Sequence, residues 1–410
     1  MQTQLSPEFS ATPKGEEAAG ILRKCVHCGF CNATCPTYQL LGDELDGPRG
    51  RIYLIKELLE GSEVGRSTQL HLDRCLTCLN CETTCPSGVR YGELVGIGRE
   101  LVEERVPRPP LERLRRWLLK EGLHSPLFAP LLAVGGRMRA LLPATLRTYV
   151  PRSAGRVDPW PEARHERKVL LLAGCVQPAL FPNINRATAR VLDAAGIQTV
   201  VAAAAGCCGA LRDHLSDHAG GLEDARRNIE AWWPWIEAGT VDAIIMNASA
   251  CGLAVKNYGA ALHADAHYAA KARRVSDMAR DLSELLPDLV GRLQGTLRPS
   301  AGERLIFHAP CTLQHGQRQR GVIETHLAAL GFDVGSAVTD PHLCCGSAGT
   351  YSVLMPAIAR QLRDRKLAAL AAAQPSTIIS ANVGCIQHLQ SGTDIPVRHW
   401  VEILDEALAR

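Results

Sequence analysis

The chain has 410 residues, 46% hydrophobic and 21% charged, with 45 basic against 42 acidic side chains. At about 150 residues per domain it is too long for one compact unit, and it is too apolar to be disordered by composition. A net charge of +3 lacks the concentrated Lys and Arg excess that nucleic acid requires, so no nucleic acid partner is expected.

The opening residues, MQTQLSPEFSATPKGEEAAG, carry three Glu within 17 positions and no apolar stretch. Export is therefore not expected, and residues 1–20 read as a disordered N-terminus. The longest charge-free stretch, around Val169 to Asn185, is broken by Pro178 and Pro182, so it falls short of the roughly 20 apolar residues of a bilayer span. A cytoplasmic location follows as the expectation. There the 16 cysteines serve as metal ligands or redox groups sooner than as disulfides.

Eight of the cysteines fall in residues 21–105, read as the first domain. They form C-x2-C-x2-C-x3-C-P twice: Cys25, Cys28, Cys31 and Cys35 before Pro36, then Cys75, Cys78, Cys81 and Cys85 before Pro86. Three thiolates at two-residue intervals wrap one face of a [4Fe-4S] cube. In the bacterial ferredoxin arrangement of this spacing the fourth cysteine ligates the other cluster. On that rule Cys25, Cys28 and Cys31 join Cys85 on one cluster, and Cys75, Cys78 and Cys81 join Cys35 on a second. Structural zinc is the alternative, but its ligands usually come as two separated pairs. His27 occupies a spacer position and reads as a neighbour of the cluster, not a ligand. Between and after the runs, DGPRGRIYLIKELLEG and YGELVGIGRELVEERV carry apolar residues at helical intervals (Ile52, Ile55, Leu58, Leu59; Leu94, Val95, Leu101, Val102). Gly96 and Gly98 follow no strand and lack a third glycine, so they carry no nucleotide motif.

Residues 106–167 are rich in Pro and Arg and read as a linker with short helices. RLRRWLLK and GRMRALLPATLRTYV are basic and amphipathic. They suit either an anionic membrane surface or, the favoured reading, packing on a neighbouring domain or subunit with their arginines in water.

From Lys168 the chain runs through one unit twice, residues 168–295 and 303–410. A short apolar run feeds a cysteine (KVLLLAGC to Cys175, RLIFHAPC to Cys311). A helical segment and an extended run then lead to a cysteine pair (Cys207 and Cys208; Cys344 and Cys345). A long helix and a last strand end at Cys251 and Cys385. The landmarks are offset by 136, 137 and 134 residues. Alternating strand and helix is the order of a parallel α/β sheet, whose strand ends gather ligands. Each unit therefore brings four cysteines to one edge, as an iron-sulfur or zinc centre, as redox-active thiols, or as packing residues. His308, His342 and His388 lie near the second set.

Taken together, CVHCGFCNATCP, CLTCLNCETTCP, CTLQH, the two CCG units and the ending VRHWVEIL resemble the iron-sulfur electron-transfer subunits of 2-hydroxy-acid and glycerol-3-phosphate dehydrogenases and of heterodisulfide reductases, most of all those of glycolate oxidase. The resemblance implies an α+β multidomain fold, a helical two-cluster ferredoxin-like domain followed by two repeated α/β cysteine-rich domains. It further implies two [4Fe-4S] clusters, with an additional iron-sulfur or zinc centre in the CCG domains left open. By the same resemblance, FAD is expected on partner subunits that oxidise glycolate to glyoxylate, with electrons passing on towards quinone or another membrane acceptor, and the chain is expected in the cytoplasm or peripherally on the inner face of the membrane. A lactate or glycerol-3-phosphate dehydrogenase, or a thiol-disulfide reductase using the CCG cysteines, is the alternative. One departure stands out: the heterodisulfide reductase relatives end such a unit in C-x-x-C, where this chain has Ala248 and Asn382 at the first position. An unusual non-cubane cluster is thereby put in doubt, while a four-ligand centre remains open.

Overall fold

Apolar residues spaced at three and four positions drive the helices of the first 105 residues together. In the computed structural model, which describes residues 1–125, 127–141 and 157–409, the helices Pro13–Lys24, Pro48–Leu59 and Tyr91–Arg105 share one core of Ile21, Leu22, Ile55, Leu58, Leu94, Val95 and Val102. Gly98 allows the last two to close, since a Cβ there would meet Ile55 at 2.6 Å. That is a packing role, in keeping with the absence of a nucleotide motif. Helices begin earlier than expected: residues 1–20 are largely helical rather than disordered. The reason is Phe9, whose ring is buried in this core beneath the Arg105 guanidinium at 4.8 Å.

Among its described residues the linker contains the α-helices Pro110–His124 and Phe128–Arg137. The orientation of the first inverts the expected one. Arg108 and Arg116 are turned inward onto Asp73 at 2.7 and 3.1 Å, and Lys120 reaches Asp217 at 3.1 Å. Leu111, Leu114, Trp117 and Leu118 face outward, each more than half exposed. Ion pairing decides the outcome, because the neighbouring surface offers the Asp73 and Asp217 carboxylates. Most of GRMRALLPATLRTYV lies outside the described residues.

Each repeat unit forms a four-stranded parallel sheet. The first has the order β2-β1-β3-β4, from β1 (Lys168–Leu171), β2 (Gln198–Val200), β3 (Ala243–Met246) and β4 (Ala279–Asp281). The second has β6-β5-β7-β8, from β5 (Arg304–His308), β6 (Asp333–Ser336), β7 (Thr377–Ser380) and β8 (Val397–His399). Registers correspond: Val169 pairs with Ala243 and Leu305 with Thr377. The fourth strand of each unit is only three residues long and carries no readable period. Side chains alternate across the first sheet, with Val169, Leu171 and Ile245 on one face and Leu170, Ile244 and Met246 on the other. The first face continues without a break into the second unit, meeting Leu305, Phe307, Ile379 and Trp400. Arg190 clamps Asp405 across this seam at 2.8 and 2.5 Å. Two units distinct in sequence therefore share one apolar core. The N-terminal region docks on the second unit through Leu76 and Cys78 against Cys344, Tyr351 and Leu362.

Candidate metal centres

The two N-terminal runs build the same loop. On either side of the second cysteine the backbone is left-handed, at His27 and Gly29 in the first run (φ 55° and 84°) and at Thr77 and Leu79 in the second (φ 51° and 61°). Two such residues within one short loop curl the chain so that three sulfurs face inward. For a residue with a side chain this backbone costs about 1–2 kcal/mol, and Arg99 holds Thr77 in it by donating to its hydroxyl at 3.0 Å.

Cys25, Cys28, Cys31 and Cys85 line one hollow, walled by Val26, Ile52 and Val89. Cys35, Cys75, Cys78 and Cys81 line a second, walled by Leu76, Leu79 and Tyr91, and Cys81 borders both. Burial, then the thiols of Cys25, Cys28 and Cys85, push Cys31 up to about 11. Burial also pushes Cys81 up, followed by Cys78, Cys75 and Cys35. With Cys81 shared at the wall between them, the hollows each offer at least four sulfur donors from both runs, and four thiolates are the donor set that a [4Fe-4S] cluster takes. The hollows differ in exposure. Cys28 is exposed, with Val26 and Phe30 at 68% and 60% beside it, whereas Cys75, Cys78 and Cys81 are buried.

The second hollow is also positively charged. Arg51 is buried at 1% exposure, paired with Asp46 at 3.5 Å, a carboxylate that also holds Arg74 at 2.7 Å and His71 at 3.0 Å. Burial alone would raise the Cys75 thiol, but Arg51 and Arg99 outweigh it and favour the thiolate. Nothing in the local sequence marked Arg51, which lines the hollow, or Arg99, which donates to the Cys75 carbonyl, because they come from separate helices.

In the repeat units the cysteine pairs sit on loops before a helix. Gly209 and Gly346 end the pairs at φ 88°, where a Cβ would meet a backbone oxygen of Gly221 or Ala359 at 2.7 Å. Their N–H groups donate to Cys207 and Cys344 sulfur at 3.4 Å. Cys251 and Cys385 stand one step beyond the expected strand ends, in the first turns of the helices Ser249–Lys256 and Val383–Gln390. The four thiols of each unit adjoin in series. Cys175 and Cys207 are 3.5 Å apart, Cys208 interacts with Cys207 and Cys251, and the series Cys311, Cys344, Cys345, Cys385 repeats the pattern. His124, from the linker, brings its ring within 4.8 Å of Cys175 and Cys207. The neighbouring Cys175 and Cys208 thiols, and then the nearby His124 ring, hold the Cys207 thiol well below the usual range against its burial. Sequence reasoning missed His124, since no local pattern ties residue 124 to a loop 83 positions on. Of the three histidines noted near the second set, His308 joins Cys345 and Cys385, while His388 donates to the Ala359 carbonyl at 3.1 Å. The two sets of hollows are adjacent: the Cys78 thiol feels Cys311 and packs with Cys344.

Residues 21–89 match the family described as 4Fe-4S dicluster domain, and residues 169–256 and 305–390 match the cysteine-rich domain family. Over 411 residues the chain is 54% identical to the glycolate oxidase iron-sulfur subunit of Escherichia coli (strain K12), covering 100% of both. It is 29% identical over 408 residues to the probable glycolate oxidase iron-sulfur subunit of Bacillus subtilis (strain 168), covering 92% of this chain and 90% of that one. Lactate utilization protein A of Geobacillus kaustophilus (strain HTA426) is 26% identical, across 58% of this chain and 98% of its own length.

Proposed function

The chain belongs to the family of glycolate oxidase iron-sulfur subunits, and from that premise we propose that it relays electrons from an FAD-bearing partner that oxidises glycolate to glyoxylate, towards a quinone. The observation that carries this reading is the gathering of all eight N-terminal cysteines around two adjoining hollows that share Cys81. A pair of [4Fe-4S] clusters there supplies one-electron chemistry, which matches a two-electron flavin donor to one-electron acceptors. Cys25, Cys28, Cys31 and Cys85 would hold the first, and Cys75, Cys78, Cys81 and Cys35 the second. Around them this chain's residues keep water out, with Ile52, Val89, Leu76 and Tyr91 as walls, while Arg51 and Arg99 offset thiolate charge. The rim at Cys28, Val26 and Phe30 is open to solvent, so we assign it to the flavin-bearing partner. No described helix is long and apolar enough to cross a membrane, which leaves contact with a membrane acceptor to the surface of the fold or to other subunits.

Iron and acid-labile sulfide on anaerobically purified protein test the reading: about eight of each per chain are expected for two cubes. In the reconstituted complex, Cys28→Ser and Cys78→Ser should each abolish glycolate-dependent quinone reduction, while the flavin is still reduced by glycolate. Zinc without sulfide, or quinone reduction that survives both substitutions, would overturn it.

A further inference from the structure

Most charged or ligating clusters of the fold are already satisfied: the Asp46 carboxylate, for instance, is held by Arg51, Arg74 and His71. His308 is not. It ends β5 at 2% exposure, and neither ring nitrogen has a hydrogen-bond partner. Leaving a buried polar group unpaired costs about 1–3 kcal/mol. In the first repeat unit the corresponding position, 136 residues earlier, is Leu172, equally buried at 3%. The fold therefore accepts leucine at this position, and the second unit carries an imidazole there without any protein partner for it. What lies within 4.8 Å of that imidazole is the pair of sulfurs of Cys345 and Cys385, both buried.

We propose that His308, Cys345 and Cys385 hold one divalent metal ion, with the adjoining Cys344 as fourth ligand. Sulfur and imidazole donors in tetrahedral number match zinc. Binding releases the three thiol protons to solvent, so three thiolates and a neutral imidazole around a +2 ion leave one net negative charge. Lys366 stands ready to balance it. Its ammonium is buried at 3% exposure, donates to the Asp340 carbonyl at 2.7 Å, and feels Cys345 and Cys344 most strongly among its charged neighbours. The first unit has no counterpart of His308, and its imidazole, His124, approaches the opposite end of the thiol series. The two units have therefore diverged at their thiol edges while keeping the fold.

The inference goes beyond the relay reading, which iron and sulfide test separately. Metal analysis of the full chain, purified anaerobically, should find about one zinc beyond about eight irons. His308→Leu, which copies the first unit, should lose that zinc and keep the iron, the sulfide and the visible absorption. No zinc in the native chain, full zinc in His308→Leu, or further iron and sulfide in its place would overturn the proposal. Cobalt(II) substitution gives a readout that does not depend on the leucine variant folding. The native chain should show intense tetrahedral ligand-field bands with thiolate charge transfer, and His308→Cys should strengthen the charge transfer. A cobalt spectrum lacking thiolate bands, or one unchanged in His308→Cys, would sink it.

Discussion

Arg51 concentrates the electrostatic question at one residue. It is almost fully buried, and although burial favours loss of its proton, the surrounding Tyr91, Cys75, Cys35 and Asp46 keep it charged. Arg51→Met would leave Asp46 with Arg74 and His71 and free the His71 carbonyl and the Thr37 hydroxyl that Arg51 holds, a loss of about 1.5–3 kcal/mol. The urea midpoint should fall accordingly. The same change removes a positive charge from beside Cys75 and Cys35, so the reduction potential of a cluster in the second hollow should drop while that of the first stays near its native value, as read by an EPR-monitored redox titration. Equal shifts of both, or none, would mean that Arg51 acts on the fold alone. The eight N-terminal cysteines were legible in the sequence because their spacing is local, two or three residues at a time. Arg51, Arg99 and His124 were not, since each arrives by a long-range contact that leaves no periodic trace.

The helix Pro110–His124 carries the same lesson at the level of an element. Its composition announced amphipathicity, but which face turns inward depends on what the neighbouring surface offers. Asp73, Glu103 and Asp217 stand there, so arginines and Lys120 pack inward and leucines point out. Asp73 is nearly buried, and the Arg108 guanidinium raises the stability of its charged form against burial. Asp73→Ala would leave Arg108, at 3% side-chain exposure, to Glu103 and Glu112, and Arg116, at 11%, to Glu112, and the lost charge-assisted bonds should destabilise the chain by about 1.5–3 kcal/mol. Leu114→Gln on the outer face should change the denaturation midpoint by no more than about 0.5 kcal/mol. A conventional amphipathic helix would give the reverse ranking, so one pair of urea titrations decides between the two orientations. Strands tell a complementary story: β1, β3, β5 and β7 were legible as apolar runs, whereas β4 and β8, three residues each, are defined only by the neighbours they pair with.

Across the whole molecule the repeat was visible from its constant offsets, but the single core joining its two copies was not, because the apolar residues that face a partner unit look the same as those that face their own sheet. That shared core, together with the docking of Cys78 onto Cys344 and Tyr351, places the two N-terminal hollows in unequal surroundings. The first opens at Cys28. The second is closed off by the second repeat unit, whose Tyr351 hydroxyl also donates to the Arg74 carbonyl at 3.1 Å. Loss of a cluster begins with access of oxidant or chelator to its sulfurs, so with two clusters in place iron should leave in two phases. About half of the iron, the share of one cube in two, should be released quickly by a chelator with mild oxidant, and the remainder only as the contact between the N-terminal region and the second unit opens. Tyr351→Ala, which removes both the ring from that contact and the hydroxyl bond, should speed the slow phase and leave the fast one unchanged. A single phase in the native chain, or a Tyr351→Ala effect on the fast phase alone, would mean that the second unit does not shield the second hollow.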